Sequence, residues 1–359
     1  MILTIFFAFI SLTALVIIHE WGHFILARKF GVRVDEFGIG FPPRLIGKKV
    51  GGTLYSINLL PFGAFVKIYG EDGTENGPDS FSQKPIWQRS LIVLGGVIMF
   101  WVTAAVLLSI VMGLGANLAV DDQESNNLKN PKVQVTAIAP DSPAESAGLK
   151  VGDAIKNILA FGLEVEPEKQ WFAVDKVNEV QGLIERNRGQ ELVFKIERGK
   201  ETFEVKLTPR IVLPKDEGPI GVALMRTATK AYPWYQAPFQ GIIATGNMTV
   251  AVILGWVQAL GGVFRGEQSN VEVMGPIGIF STFVQIGQLG AVYFLQFIAF
   301  ISVYLALFNI LPIPVVDGGR LLFLGIEAIR RKPISPTIEQ KINLVFFALL
   351  ISLMVWVTF

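Results

Sequence analysis

The chain has 359 residues, no cysteine and only two histidines, and just 17% of it is charged. Without cysteine there can be no disulfide, thiolate zinc site, iron–sulfur cluster or cysteine nucleophile, and the redox compartment is unreadable from thiols. The charges that exist nearly cancel: 31 basic and 30 acidic residues leave a net of +1. No global field therefore favours nucleic acid or an acidic partner. A hydrophobic content of 51% and a mean hydropathy of +0.49 are too high for an ordinary soluble domain.

Long stretches lack charge altogether. A bilayer core takes about 20 apolar helical residues to cross. Residues 1–18, 90–120, 273–316 and 342–359 meet or approach that requirement, the most lipid-like part of the third being 292–310. The first has no basic leader and no A-x-A-like cleavage site, so it is read as a retained membrane helix. A fifth uncharged stretch, 239–264, is diluted by Gly241, Gly246, Asn247, Gly255, Gln258, Gly261 and Gly262, and hydropathy alone does not decide it.

Residues 121–230 have a different texture. They hold most of the charge, short β-like runs at 133–139, 191–197 and 202–208, and an amphipathic helical stretch at 174–186. This is expected to be a soluble α+β domain of common size. Its segment Ser142-Pro143-Ala144-Glu145-Ser146-Ala147-Gly148-Leu149-Lys150-Val151-Gly152-Asp153 resembles the PDZ signature of bacterial proteases. The continuation Ile155-Lys156-Asn157-Ile158-Leu159 departs from that pattern, so the next turn is expected to differ. Residues 49–70 form a third texture: runs at 53–58 and 64–69 flank Leu59-Leu60-Pro61-Phe62-Gly63 and read as a hairpin. Its two faces are apolar, and non-helical backbone at membrane depth survives only where protein covers it or a wet cavity borders it.

Both histidines fall in His19-Glu20-Trp21-Gly22-His23. On a helix, positions i and i+4 share a face, so both imidazoles can reach one ion. Glu20, beside the first ligand, can take a proton from a metal-activated water. A catalytic zinc usually has three protein ligands. With no further histidine or cysteine the third must be a carboxylate, and Asp317 closes the uncharged run in Asn309-Ile310-Leu311-Pro312-Ile313-Pro314-Val315-Val316-Asp317-Gly318-Gly319. A carboxylate abutting hydrocarbon is costly and usually functional. Two prolines before it and two glycines after it are expected to give it an irregular backbone.

Together these motifs resemble the site-2 proteases of the bacterial regulator-of-sigma-E type. HExxH lies in the first membrane helix, N-x-x-P-x-P-x-x-D-G in a late one, and a PDZ-like segment between them. Pro61-Phe62-Gly63-Ala64-Phe65-Val66-Lys67 resembles that family's membrane hairpin, and Gly275-Pro276-Ile277-Gly278-Ile279 its GPxGI motif. The resemblance implies a polytopic α-helical protein of a bacterial-type cytoplasmic membrane. It would have about four transmembrane helices, a membrane-associated β-hairpin at about 49–70 and an inserted extracytoplasmic PDZ-like α+β domain. The corresponding division is 1–120, 121–230 and 231–359. The implied activity is intramembrane zinc proteolysis, with Zn2+ on His19, His23 and Asp317 and Glu20 as general base. Asn309 would hydrogen-bond substrate or transition state. The implied partners are pre-trimmed single-pass membrane proteins, such as anti-sigma factors or signal-peptide remnants, the bilayer, and a peptide C-terminus at the PDZ-like domain; nucleic acid is not among them. Gly96-Val97-Ile98-Met99-Phe100 departs from the family by carrying phenylalanine where an asparagine is often found.

Basic residues Arg28, Lys29, Arg33, Arg44, Lys48 and Lys49, and the later Arg330, Arg331 and Lys332, place both loops in the cytoplasm by the positive-inside rule. The ligands then lie towards the cytoplasmic side. If 239–264 also crossed, Asp317 would face outside, across a core of about 30 Å. That stretch is therefore expected to lie along the outer interface or to pack peripherally. A helical substrate hides its peptide bonds, and an exposed edge at Gly63, Ala64, Phe65 and Val66 is expected to pair with the opened segment. The alternatives are a metal-binding pseudoprotease and a membrane-anchored PDZ scaffold. The first leaves Glu20 without a use, and the second leaves the histidines and Asp317 unexplained.

Overall fold

A computed structural model of the chain describes residues 2–73, 75, 77–124, 128–161, 169–199, 201–214, 217–265 and 276–358. In chain order its elements are α1 (Ile2–Lys29), β1 (Val34–Val50), β2 (Thr53–Ile68) and α2 (Ile86–Leu114), followed by β3 (Ala116–Ala119), β4 (Lys129–Ile138), α3 (Pro143–Ser146), β5 (Ala154–Phe161), β6 (Lys169–Ala173), α4 (Val177–Arg186), β7 (Leu192–Arg198), β8 (Glu201–Leu207) and β9 (Val222–Lys230). The last part contains α5 (Ala237–Phe264), α6 (Pro276–Leu289), α7 (Ala291–Ile310), α8 (Asp317–Arg330) and α9 (Pro336–Thr358). Two units separate: Met1–Val111 with Trp234–Phe359, and Met112–Pro233.

The helical unit is built from the uncharged runs. Five segments, Ile5–Lys29, Ile86–Leu114, Ala237–Gly262, Ala291–Ile310 and Pro336–Val355, are long and apolar enough to cross a membrane. Their ends follow local chemistry. Arg28 and Lys29 occupy the last turn of α1, where cations suit the helix dipole. The uncharged run 90–120 outlasts its helix: α2 stops at Gly115, whose φ of 106° only glycine adopts readily. The run 273–316 is not one helix. It breaks at Gly290, φ 117°, into α6 and α7, which fold back so that Phe283 meets Phe294 and Phe297 at ring distances of 5.7 and 4.8 Å.

That break bears on α5. The expectation for 239–264 assumed no helix between it and the helix before Asp317; α6 lies there, 14 residues long and shorter than a span. α5 runs alongside α2 and α7: the Ser109 hydroxyl donates to Pro238 O at 3.3 Å, and Val252 is buried with Ala104, Leu108, Ala299, Val303 and Leu307. Further on, Trp256 meets Tyr304 edge-on at 5.2 Å.

The segment read as a hairpin is larger and differently connected. Strand runs 53–58 and 64–68 do not pair with each other. Residues 34–39 lie between them, with Phe37 opposite Val66 on one side and opposite Tyr55 on the other. Residues 44–50 complete the sheet beyond 53–58. The sequence reading missed the strand at 34–41 because Gly38 and Gly40, and Pro42 and Pro43 just after it, look like loop. Residues 64–68 therefore form an edge, without a strand on their outer side among the described residues.

The middle unit is a sheet in the order β3-β9-β4-β5-β7-β8, with β6 beside β5. One face of β7 carries Leu192, Phe194 and Ile196, all buried, which pack with Ile155, Ile158, Val180 and Ile184. Ser142 caps α3 through its hydroxyl, which accepts from Glu145 N–H at 3.2 Å. Where the PDZ-like pattern is lost, β5 simply continues to Phe161 and pairs with β6.

Candidate metal centre and active site

α1 places His19 and His23 one turn apart, on the face that meets α2. The two helices cross at glycines, since a Cβ on Gly22 would strike the Gly95 carbonyl. Such small-residue contacts let membrane helices approach closely. Next to them Gly96 leaves the room that both imidazoles fill; a Cβ there would collide with the His19 ring and His23 Nε2. His23 Nδ1 donates to Ile92 O at 2.9 Å. A carbonyl only accepts, so the proton sits on Nδ1 and Nε2 presents its lone pair.

α7 ends at Ile310, ahead of Pro312, and a tight turn brings the chain back. Val315 has φ 89°, an outlier for a β-branched residue and of the kind found at functional sites. Contrary to expectation, Asp317 is not on irregular backbone. It is the first residue of α8, where the helix dipole favours an anion. Nor do the glycines loosen the chain. A side chain on Gly318 would strike Leu311 O and one on Gly319 would strike Ile313 O, so they admit the turn against the helix.

The result is a triangle. His19 Nε2 and His23 Nε2 are 3.3 Å apart, and Asp317 Oδ2 lies 3.5 and 3.6 Å from them. Ligands at about 2.0–2.1 Å in a tetrahedron stand roughly 3.3–3.4 Å from one another, so the three atoms fit one ion with one position left over. Both histidines are buried, at 8% and 7% exposure, and Asp317 Oδ2 is a buried acceptor with no hydrogen-bond partner among the described residues. A buried acceptor in that condition calls for a cation. Beside the triangle, Glu20 Oε2 accepts from Val66 N–H at 3.1 Å, which sets the carboxylate against the free edge of β2.

The sequence profile of peptidase family M50 matches residues 7–353. The chain belongs to that family. A Clostridium perfringens protein with the provisional name zinc metalloprotease is 32% identical over 357 residues, 99% of this chain and 97% of its own. Regulator of sigma-W protease RasP of Bacillus subtilis is 27% identical, over 96% and 94%. Regulator of sigma E protease of Haemophilus influenzae is 28% identical, over 98% and 96%.

In this M50 peptidase His19, Glu20, His23, Asp317 and Val66 converge, while other sequence candidates stand apart from them. Asn309 donates its amide to Leu305 O at 2.9 Å, one turn back on its own helix. Gly63 turns the chain with φ 74°, Ala64 is buried, and Phe65 covers Gly38 and stacks on Phe41. Gly266, a tagging position for the topology of 239–264, and Gly275 of the GPxGI-like motif lie outside the described residues. Sequence reasoning named Gly96, Phe100 and Val66 but missed that Gly96 makes room for both imidazoles, that Phe100 covers the His19 ring and that the Val66 amide holds Glu20. Phe100 lies flat on the His19 ring at 4.5 Å, and Ser302 donates to its carbonyl at 2.8 Å. A ring face thus occupies the position where a polar contact was in question. The glycine pair Gly95-Gly96 in a bulky apolar helix was the readable signal, because glycine inside a span marks close approach.

Proposed function

We propose that this M50 peptidase is an intramembrane zinc metalloprotease that cleaves within or near the membrane segment of single-pass proteins. The observation that carries the reading is the His19–His23–Asp317 triangle with Glu20 held beside it on an open strand edge. When bound, zinc polarises a carbonyl and lowers the pKa of a water to near neutrality. Glu20 takes a proton from the attacking water and delivers it to the leaving amine. The edge at 64–68 pairs with an unwound stretch of substrate, exchanging its helical hydrogen bonds for strand bonds. Asn309 keeps its amide oxygen for a substrate N–H. The names of the RasP and regulator-of-sigma-E relatives favour anti-sigma factors as substrates, and signal-peptide remnants share the same single-span, pre-trimmed chemistry.

The site faces the cytoplasm and the PDZ-like middle unit lies outside, in a bacterial-type cytoplasmic membrane. The basic loops around Arg28 and Arg330 support this orientation. A natural chain without cysteine makes the test direct. Lys206→Cys should react with an impermeant thiol reagent in intact cells and Lys332→Cys should not; the reverse pattern overturns the orientation. In the middle unit a groove of about 470 Å³ lies between α4 and residues 218–224. β9 pairs with β3 only from Thr227 on, so its earlier residues offer an edge to a peptide C-terminus.

The deciding experiment is cleavage of a trimmed single-span reporter by purified wild type and Glu20→Gln. The variant should retain zinc and lose about a thousandfold in kcat. Equal cleavage by both would overturn Glu20 as base. Zinc bound with cleavage by neither, across several reporters, would favour a pseudoprotease.

A further inference from the structure

The three groups that build the site sit on three separate elements, and α8 is tied to the neighbours of the other two by ion pairs that the chemistry above does not use. Asp317, Arg320 and Glu327 fall at i, i+3 and i+10 of α8, along one face. Glu71 lies three residues beyond the end of β2, the strand whose Val66 N–H holds Glu20. Arg320 Nη1 donates to Glu71 Oε1 at 2.6 Å, its second nitrogen contacts Glu71 O, and the guanidinium lies over the Phe81 ring at 5.0 Å. At the far end of the helix Glu327 takes two bonds from Arg89, at 3.0 and 2.6 Å. Arg89 begins the same α2 whose Ile92 carbonyl orients His23. Both pairs line one cavity of about 560 Å³.

From this arrangement we infer that Glu71 and Arg320 are positioning residues for the reaction. Their pair sets the distance between the strand edge that holds the Glu20 carboxylate through Val66 N–H and receives substrate, and the helix turn that carries Asp317. The pair lies one helical turn from Asp317, and Arg320 grips both the carboxylate and the backbone of Glu71. A displacement of the strand would therefore withdraw the Val66 N–H that fixes the Glu20 carboxylate beside the ligand triangle, while substrate could still pair with the edge. Misplacements of about 1 Å cost on the order of 100-fold in rate. Arg89–Glu327, ten residues from Asp317, is the natural comparison: it secures the helix as a body and does not touch the strand.

This inference rests on the protease reading. Its test uses full-length protein in detergent with the trimmed reporter, in wild type, Glu71→Gln, Arg320→Gln and the exchanged pair Glu71→Arg/Arg320→Glu. Each single variant should lose tenfold or more in kcat with KM nearly unchanged and zinc retained. The exchanged pair should recover much of the loss. The visible d–d bands of the cobalt-substituted enzyme should shift in Arg320→Gln, reporting a moved Asp317. If the single variants match wild type in kcat and cobalt spectrum, the positioning role is overturned. A loss that follows thermal stability alone, in KM and kcat together, overturns it as well. Failure of the protease reading would look different, because wild type itself would then fail to cleave.

Discussion

Asp153 and Asp317 are carboxylates set into the two units of the same chain, and they are finished differently. Asp153 is fully buried at 0% exposure and completely satisfied. Arg198 donates to it twice, at 2.6 and 2.7 Å, and Lys150 N–H once at 2.9 Å. The same hydrogen bonds hold the Arg198 guanidinium above its ordinary pKa. Asp317 keeps about a fifth of its side chain exposed, 19%, yet its Oδ2 is left with no hydrogen-bond donor among the described residues. A buried charge with every lone pair met is architecture, and one held open towards two imidazoles is placed to meet a cation. Burial alone would have ranked the two the wrong way round.

The sharpest way to break that comparison is to make the same change at both. Asp317→Asn should release zinc, abolish cleavage and leave the thermal unfolding of the middle unit where it was. Asp153→Asn should keep zinc and lower the stability of the middle unit by about 2 kcal/mol, the scale of hydrogen bonds to a charged group. Metal analysis and calorimetry of each variant would decide it. Zinc loss in Asp153→Asn, or retention in Asp317→Asn, would undo the distinction.

How much of this was legible depends on which unit carried it. In the apolar runs of the helical unit charge is so rare that an ionisable residue at their ends is informative, and the two histidines and Asp317 could be picked out without a fold. What stayed hidden there is what has no polar signature. The Val66 amide is backbone, Phe100 shows in sequence only as a departure from the family's asparagine, and Gly290 is one glycine among many in apolar sequence. The β segment was half legible, because the β-like runs flanking Pro61 and Gly63 located 53–58 and 64–69 but could not reveal that 34–39 runs between them. Strand partners are a tertiary choice, and Gly38, Gly40 and the prolines hid the third strand. In the middle unit the alternating strands at 133–139, 191–197 and 202–208 sat within a residue or two of β7 and β8 and inside the span of β4 extended by one. Asp153, by contrast, was visible only as half of a turn motif. Its partner Arg198 is 45 residues away, a pairing that no local pattern encodes.

Glycine sharpens the same contrast at a smaller scale. Gly96 and Gly182 both sit inside helices, where alanine is ordinarily the better residue by about 0.5–1 kcal/mol because glycine gives up more backbone entropy. At Gly182 in α4 a Cβ would meet nothing within 4 Å, so Gly182→Ala should gain that amount and raise the melting temperature of the middle unit by a few degrees. At Gly96 the same methyl would fall into the space of both imidazoles, and neither ring can retreat without surrendering Ile92 O or the Phe100 face. Gly96→Ala should weaken zinc binding about 10- to 100-fold, the usual cost of disturbing what orients a metal ligand, and cleavage should fall with it. Metal competition against a calibrated chelator measures the first effect and calorimetry the second. If Gly96→Ala bound zinc as tightly as wild type, the close approach of α2 would be mere packing. The helical unit would then build its site from the ligands alone, without the glycines that make room for them.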